Sequence, residues 1–331
     1  SSPSVLGNNK LTWETSEQLD FGIDLRFLAD RLGFTMDYYH KTTKDLITTN
    51  TPPLEAGNSA SPINGGNVVN KGFDFELTWR DHIGDFKYSI AANLSTLKNE
   101  VTYLDPTISR LNGASVNKWS SATAFEKGLP VWYFRGYKTD GIDPATGNVN
   151  FVDVNGDGTV NANDFTYIGS AIPDITYGAT LNMEYKGFDF TMFIQGQAGN
   201  DILMGIIRTD RPATNKLSLF YTDRWTPENP NASRPSATVD AKYWNSDQML
   251  FNGSFMKIKQ IQLGYSLPAL VTNKLHIGHT RIYASLDDFF TFTNYPGMDP
   301  EASSSDNNSI GIDRGFFPIS KKVLFGLSLN F

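Results

Sequence analysis

This sequence predicts an all-β chain that forms the wall of an antiparallel transmembrane β-barrel, and three observations support that prediction. Apolar and polar residues alternate with period two in run after run, which puts every second side chain on one face of a strand. The composition favours strands and turns, with 23 Phe, 14 Tyr, 28 Gly and 16 Pro in 331 residues, and it breaks any long helical pattern. Tight links alternate with long polar stretches, which is the habit of a barrel crossing an outer membrane.

Phe21–Phe27 opens the series, with Phe21, Ile23, Leu25 and Phe27 in one row, and Ala29–Arg31 links it to Leu32–Tyr39. In Gly72–Arg80 one face reads Phe73, Phe75, Leu77 and Trp79 and the other Asp74, Glu76, Thr78 and Arg80. A hairpin across His82–Asp85 leads to Phe86–Ser95, with Phe86, Tyr88, Ile90, Ala92 and Leu94 on the apolar side. Further strands are expected at Trp132–Gly141, Tyr177–Tyr185, Phe188–Gln195 after the link Lys186–Gly187, Phe255–Tyr265, Thr280–Asp288 and Lys322–Phe331. That makes about ten strands, with long external loops at 44–69, 98–129, 141–174, 197–253 and 289–320.

A secreted β-sandwich also alternates, because each sheet buries its apolar face against the other. Two features favour lipid over a second sheet. The polar faces carry charges and amides in strand after strand, and the apolar rows begin or end on Trp79, Tyr88, Tyr177, Tyr185 and Tyr265, where an interfacial girdle would sit. The final row, Val323, Phe325, Leu327, Leu329 and Phe331, alternates to the last residue and looks like the closing-strand signal of an outer-membrane barrel.

The net charge of -7 and the absence of a Lys/Arg-rich stretch leave no platform for a phosphate backbone, so nucleic acid is not expected as a partner. The chain has no cysteine, which excludes disulfide frameworks, thiolate nucleophiles and Cys-ligated zinc. No apolar window reaches the roughly 18 residues of a membrane-spanning helix. Residues 1–20 lack a basic start followed by an apolar run, so the chain is expected to be part of a longer exported precursor.

Several segments resemble the SusC-like family of TonB-dependent outer-membrane transporters, in the family's order. They are Leu11-Thr-Trp-Glu-Thr-Ser-Glu-Gln, Phe21-Gly-Ile-Asp, Asp37-Tyr-Tyr-His-Lys-Thr-Thr-Lys-Asp-Leu46, Asn67-Val-Val-Asn-Lys-Gly-Phe-Asp-Phe75, Ile172-Pro-Asp-Ile-Thr-Tyr-Gly178, Lys186-Gly-Phe-Asp-Phe190 and Phe255-Met-Lys-Ile-Lys-Gln-Ile-Gln-Leu-Gly-Tyr-Ser-Leu-Pro268. The resemblance implies a barrel of about 22 strands with an N-terminal plug, a SusD-like surface lipoprotein as outer partner and energy from the TonB complex. It also implies import of a glycan or oligopeptide across the outer membrane of a Gram-negative, Bacteroidetes-like bacterium. Residues 1–331 would supply roughly the last ten strands, embedded in outer-membrane lipid and paired with the remaining N-terminal barrel.

Within the 141–174 loop, Asp153-Val-Asn-Gly-Asp-Gly-Thr-Val-Asn-Ala-Asn-Asp164 has the donor spacing of an EF-hand loop. Asp153, Asn155, Asp157, Asn161 and Asp164 would offer side-chain oxygens to a structural Ca²⁺, and Thr159 its carbonyl. Asp164 stands where such loops usually carry Glu. A solvated Asn/Gly/Asp turn that needs no ion is the alternative.

No catalytic motif is present: there is no HExxH among His40, His82, His276 and His279, no GxSxG and no phosphate-binding glycine loop, so no enzyme activity is expected. Trp119, Trp132, Tyr133, Tyr221, Trp225, Tyr243 and Trp244 lie in loop stretches, where aromatic faces suit sugars or peptides but also pack loops together. The competing function is a soluble secreted β-sandwich module that binds carbohydrate and uses the 153–164 loop for calcium.

Overall fold

The computed structural model describes residues 7–50, 61–207, 215, 217–237, 240–274, 277–301 and 306–330. Its main body is a ten-stranded antiparallel sheet: β1 (Thr15–Phe27), β2 (Leu32–Asn50), β3 (Ser61–Ile83), β4 (Phe86–Thr96), β5 (Lys98–Leu104), β6 (Ile175–Tyr185), β7 (Phe188–Ala198), β8 (Phe255–Ser266), β9 (Thr280–Thr293) and β10 (Lys322–Leu329). The strands follow chain order from β1 to β10, except that β5 lies beside the upper half of β3. Strands β1 and β10 each have a single neighbour.

The register turns the sequence alternation into continuous rows. Leu25, Phe34, Leu77, Ala92, Ala179, Ile194, Ile258 and Phe290 lie side by side across eight strands. The adjacent row on the opposite face reads Asp24, Thr35, Glu76, Asn93, Gly178, Gln195, Lys257 and Thr291. Among the described residues no second sheet covers the apolar face: Leu77 is 44% exposed and Phe325 82%. A sandwich would bury both, so the sandwich alternative fails here.

In β6 the apolar row runs unbroken from Ile175 to Tyr185, ten residue steps or about 33 Å of strand. At a tilt near 40° that gives about 25 Å of height, the thickness of an outer-membrane apolar band. Its lower rim is aromatic, with Phe86 near Tyr88 and Tyr185 and with Phe188 packed on Tyr265 at 4.5 Å.

The tight turns share one end of the sheet. Lys186 and Gly187 both have positive φ, 46° and 88°, a pairing that fits a two-residue hairpin to the right-handed twist of its strands. Gly84, at φ 59°, does the same between β3 and β4. The opposite end carries the long connections. There β2 and β3 continue well above the belt, pairing as far as Asn50 with Ser61. Val68, Val101, Leu104, Ile108 and Phe125 pack this extension against the loops.

The expected wall strand Trp132–Gly141 is not part of the wall. Its residues form two short strands, Tyr133–Gly136 and Thr139–Ile142, in small loop sheets. Tyr133 and Phe134 are consecutive and both buried, at 1% and 0% exposure, so this is a core segment enclosed on both faces rather than an alternating one. The wall's strand total is restored by β5. The expected terminal aromatic, Phe331, lies outside the described residues.

Candidate functional site

The polar face of the sheet and the loops above it hold the chemistry available for contact with a solute. On β1–β3 this face carries Asp20, Asp24, Asp37, Asp74 and Glu76. Asp37 stands directly opposite Asp74, and Glu76 opposite Thr35. The Asp37 carboxylate lies over Gly22, where a Cβ would meet its Oδ1 at 2.1 Å. Among the described residues none of the five takes part in an ion pair. Like charges in register are unfavourable unless water or a cation screens them, so this face is built for an aqueous or charged neighbour and not for hydrocarbon.

Nearer the turns, Arg281 on β9 reaches across β8 to form a bidentate pair with Asp189 on β7, its Nε at 2.9 Å from Oδ1. The pair passes over Gly264, which has no side chain to obstruct it.

At the loop end, Lys257 on β8 is only 2% exposed and donates to Asp299 Oδ1 at 2.7 Å and to Glu301 Oε2 at 2.5 Å. Lys259 meets the same Glu301 oxygen at 2.9 Å and Asp288 at 3.1 Å. Asp288 sits at a β-bulge with φ 56°. Burial pushes the Asp299 carboxyl up, but hydrogen bonds from Lys257 and from the Glu301 and Ile319 N–H groups more than offset this and hold it below the usual carboxylate range. Sequence reasoning missed this cluster. Asp299 and Lys257 are 42 residues apart and share no local motif.

Above the wall, the loops build a core of their own from Val116, Trp119, Phe134, Ile202, Leu203, Tyr243, Met249, Tyr295 and Ile312, among others. This decides the fate of most of the loop aromatics. Trp119, Tyr133 and Tyr243 are 1–2% exposed and hold loops together. Trp132 packs on Phe125 and Trp244 on Phe220, while Trp225 lies over Gly147 and donates to the Pro144 carbonyl at 2.9 Å. Of the seven, Tyr221 at 49% is an exposed large aromatic.

The 153–164 segment folds as a loop closed by its own donors. Asp153 accepts from the Gly156 and Gly158 N–H groups, both at 2.7 Å, and Asn155 and Asp157 cap the residues two further on. Asp164 is fully buried and accepts from the N–H groups of Asn161, Val154 and Asn155 at 2.8, 2.9 and 3.2 Å. Those bonds, led by that from Asn161, hold its carboxyl below the usual range. Thr159 presents its carbonyl to the Asn161 side chain at 3.0 Å. The oxygen chemistry suits a hard cation. Even so, among the described residues no three His, Cys, Asp or Glu side chains gather closely enough to hold one, so a bound ion would have to draw them inward.

A protein-family model described as TonB dependent receptor-like, beta-barrel matches residues 2–177. The chain is 31% identical to TonB-dependent receptor P3 of Formosa agariphila, over 98% of this chain and 35% of that protein. It is 27% identical to TonB-dependent receptor SusC of Bacteroides thetaiotaomicron, over 98% and 32% respectively. Among solved structures it is similar to the RagAB peptide importer in the open-open state, with TM-score 0.83 and 26% identity over 99% of this chain and 36% of that one. The chain thus spans about a third of the length of the curated relatives it matches.

Proposed function

The chain belongs to the TonB-dependent receptor-like β-barrel family, and from that premise we propose that it forms roughly the last ten strands of a 22-stranded outer-membrane nutrient importer. The observation that carries this reading is the uncovered apolar belt, continuous across the wall strands and backed by a charged inner face. Hydrocarbon is the neighbour that such a belt fits. The single-sided edges of β1 and β10 would be satisfied by the remaining N-terminal barrel, because lipid offers an open strand edge no hydrogen bonds.

In the whole protein, a plug would fill the lumen, a SusD-like lipoprotein would cover the loop assembly and the TonB complex would supply energy from the periplasm. The cargo is an oligopeptide or a glycan. Similarity to a peptide importer favours the former. The test is uptake by the organism that carries the full-length gene, with the gene deleted and then restored. Loss of growth on oligopeptides or on a glycan as sole nutrient, recovered on restoration, is expected; unchanged growth on both refutes the importer reading. Calcium at 153–164 is a separate proposal, resting on the donor spacing alone, and its role would be to stiffen an external loop.

A further inference from the structure

The last external connection returns to the wall through Gly315-Phe-Phe-Pro-Ile-Ser-Lys321, immediately before β10. Strand β10 pairs with β9 only as far as Lys322 with Asp287, so among the described residues the upper part of β9, residues 288–293, has no strand on that side. The 315–321 segment lies beside this edge, and a groove between them is lined by Phe289, Phe290, Met298, Asp299, Ile319 and Lys321, among others. No ladder joins the two. Among the described residues, the hydrogen bond from residues 316–321 to the rest of the protein runs from the Ile319 N–H to Asp299 Oδ2, at 3.0 Å. The Lys321 ammonium adds a weak contact over the Phe289 ring, at 5.7 Å. Phe317, at 87% exposed, anchors nothing.

Asp299 therefore ties together three pieces: Lys257 of the wall, the Glu301 N–H of the descending limb and the Ile319 N–H of the returning limb. Such a joint has two satisfied arrangements. Closed, every buried charge is paired; open, the same groups are hydrated. An apolar contact in the same place would lack that second arrangement, since a buried ion pair gains little net stability over one. We propose that residues 315–321 form a strap clasped to the wall by the Asp299 carboxylate, and that breaking the Lys257–Asp299 pair releases the strap while the wall stays folded. Without Lys257, the Asp299 carboxylate turns out to water and takes the Ile319 bond with it.

The test uses the full-length transporter, in which this chain contributes no cysteine. Nitroxides at Ser320→Cys and Asn182→Cys report strap against wall, and nitroxides at Asn182→Cys and Asn330→Cys report the wall alone. In Lys257→Met and in Asp299→Asn the strap distance distribution should broaden to about twice its wild-type width, with the wall distribution unchanged. Ile319→Pro removes the N–H and leaves both charges, so it should broaden the strap alone and serves as readout if a charge variant fails to assemble. A strap distribution as narrow as wild type in all assembled variants overturns the proposal, as does equal broadening of the wall pair.

Discussion

Replacing Gly264 by Ala should destabilise the barrel by striking the ion pair that crosses it. A Cβ at this position would lie 2.5 Å from Asp189 Oδ1, 2.6 Å from Oδ2 and 2.5 Å from Arg281 Nη2, about 1 Å inside ordinary contact distance. The ion pair itself is only partly buried, its side chains 23% and 27% exposed, so losing it alone costs about 0.2–1 kcal/mol. Escape is limited, however, because the Arg281 guanidinium also rests on the Tyr283 ring at 4.8 Å. Overpacking that forces such a pair aside costs about 1–3 kcal/mol, and we expect about 2 kcal/mol. The assay is urea unfolding of the folded full-length protein in vesicles, followed by tryptophan fluorescence. In an Asp189→Ser, Arg281→Ser background the same Gly264→Ala change should cost less than about 0.5 kcal/mol, because the atoms it strikes are gone. An equal cost in both backgrounds would show that the backbone, and not the crossing pair, requires glycine here.

Asp164 makes the 153–164 loop pH-sensitive. Its carboxyl is held below the usual range, so the hold is complete above about pH 4 and is lost as pH falls through the lowered folded value. Exchange of the Val154, Asn155 and Asn161 amides, corrected for intrinsic pH dependence, should rise only in that acid window, and should be raised at every pH in Asp164→Ala; matching profiles for the two proteins would refute this. For calcium, titration calorimetry on the full-length protein should show saturable binding that disappears when Asp153 and Asp157 are both changed to Ala. Identical heats from the two proteins would remove the metal assignment.

The wall was legible in the sequence because its faces meet different solvents, and period two records that difference directly. Phe73, Phe75, Leu77 and Trp79 against Asp74, Glu76, Thr78 and Arg80 needs no tertiary knowledge to interpret. The upper halves of β2 and β3 were not legible. Above the belt neither face meets lipid, and Thr42-Thr-Lys-Asp45 carries no alternation. The loop core was hidden for a related reason, since its innermost strands are two to four residues long and buried on both sides. It is also joined across long sequence distances, as where the Thr123 hydroxyl donates to the Asn308 carbonyl at 2.5 Å. In the 153–164 loop the residue types and their spacing were legible, and the chain turns there at Gly158, with φ 84°. What the spacing could not reveal is that the loop's own N–H groups claim the same oxygens.

Leu77 and Thr78 are neighbours in β3 that face opposite ways, the first in the middle of the apolar belt and the second in the row of Arg26, Gly33 and Ala91. Arginine at each position of the full-length barrel, with unfolding free energy measured in lipid vesicles, tests directly which face meets hydrocarbon. Leu77→Arg should cost about 2–4 kcal/mol near the bilayer midplane, and Thr78→Arg less than about 1 kcal/mol. Equal costs, or the larger cost at position 78, would contradict a wall whose apolar rows face lipid.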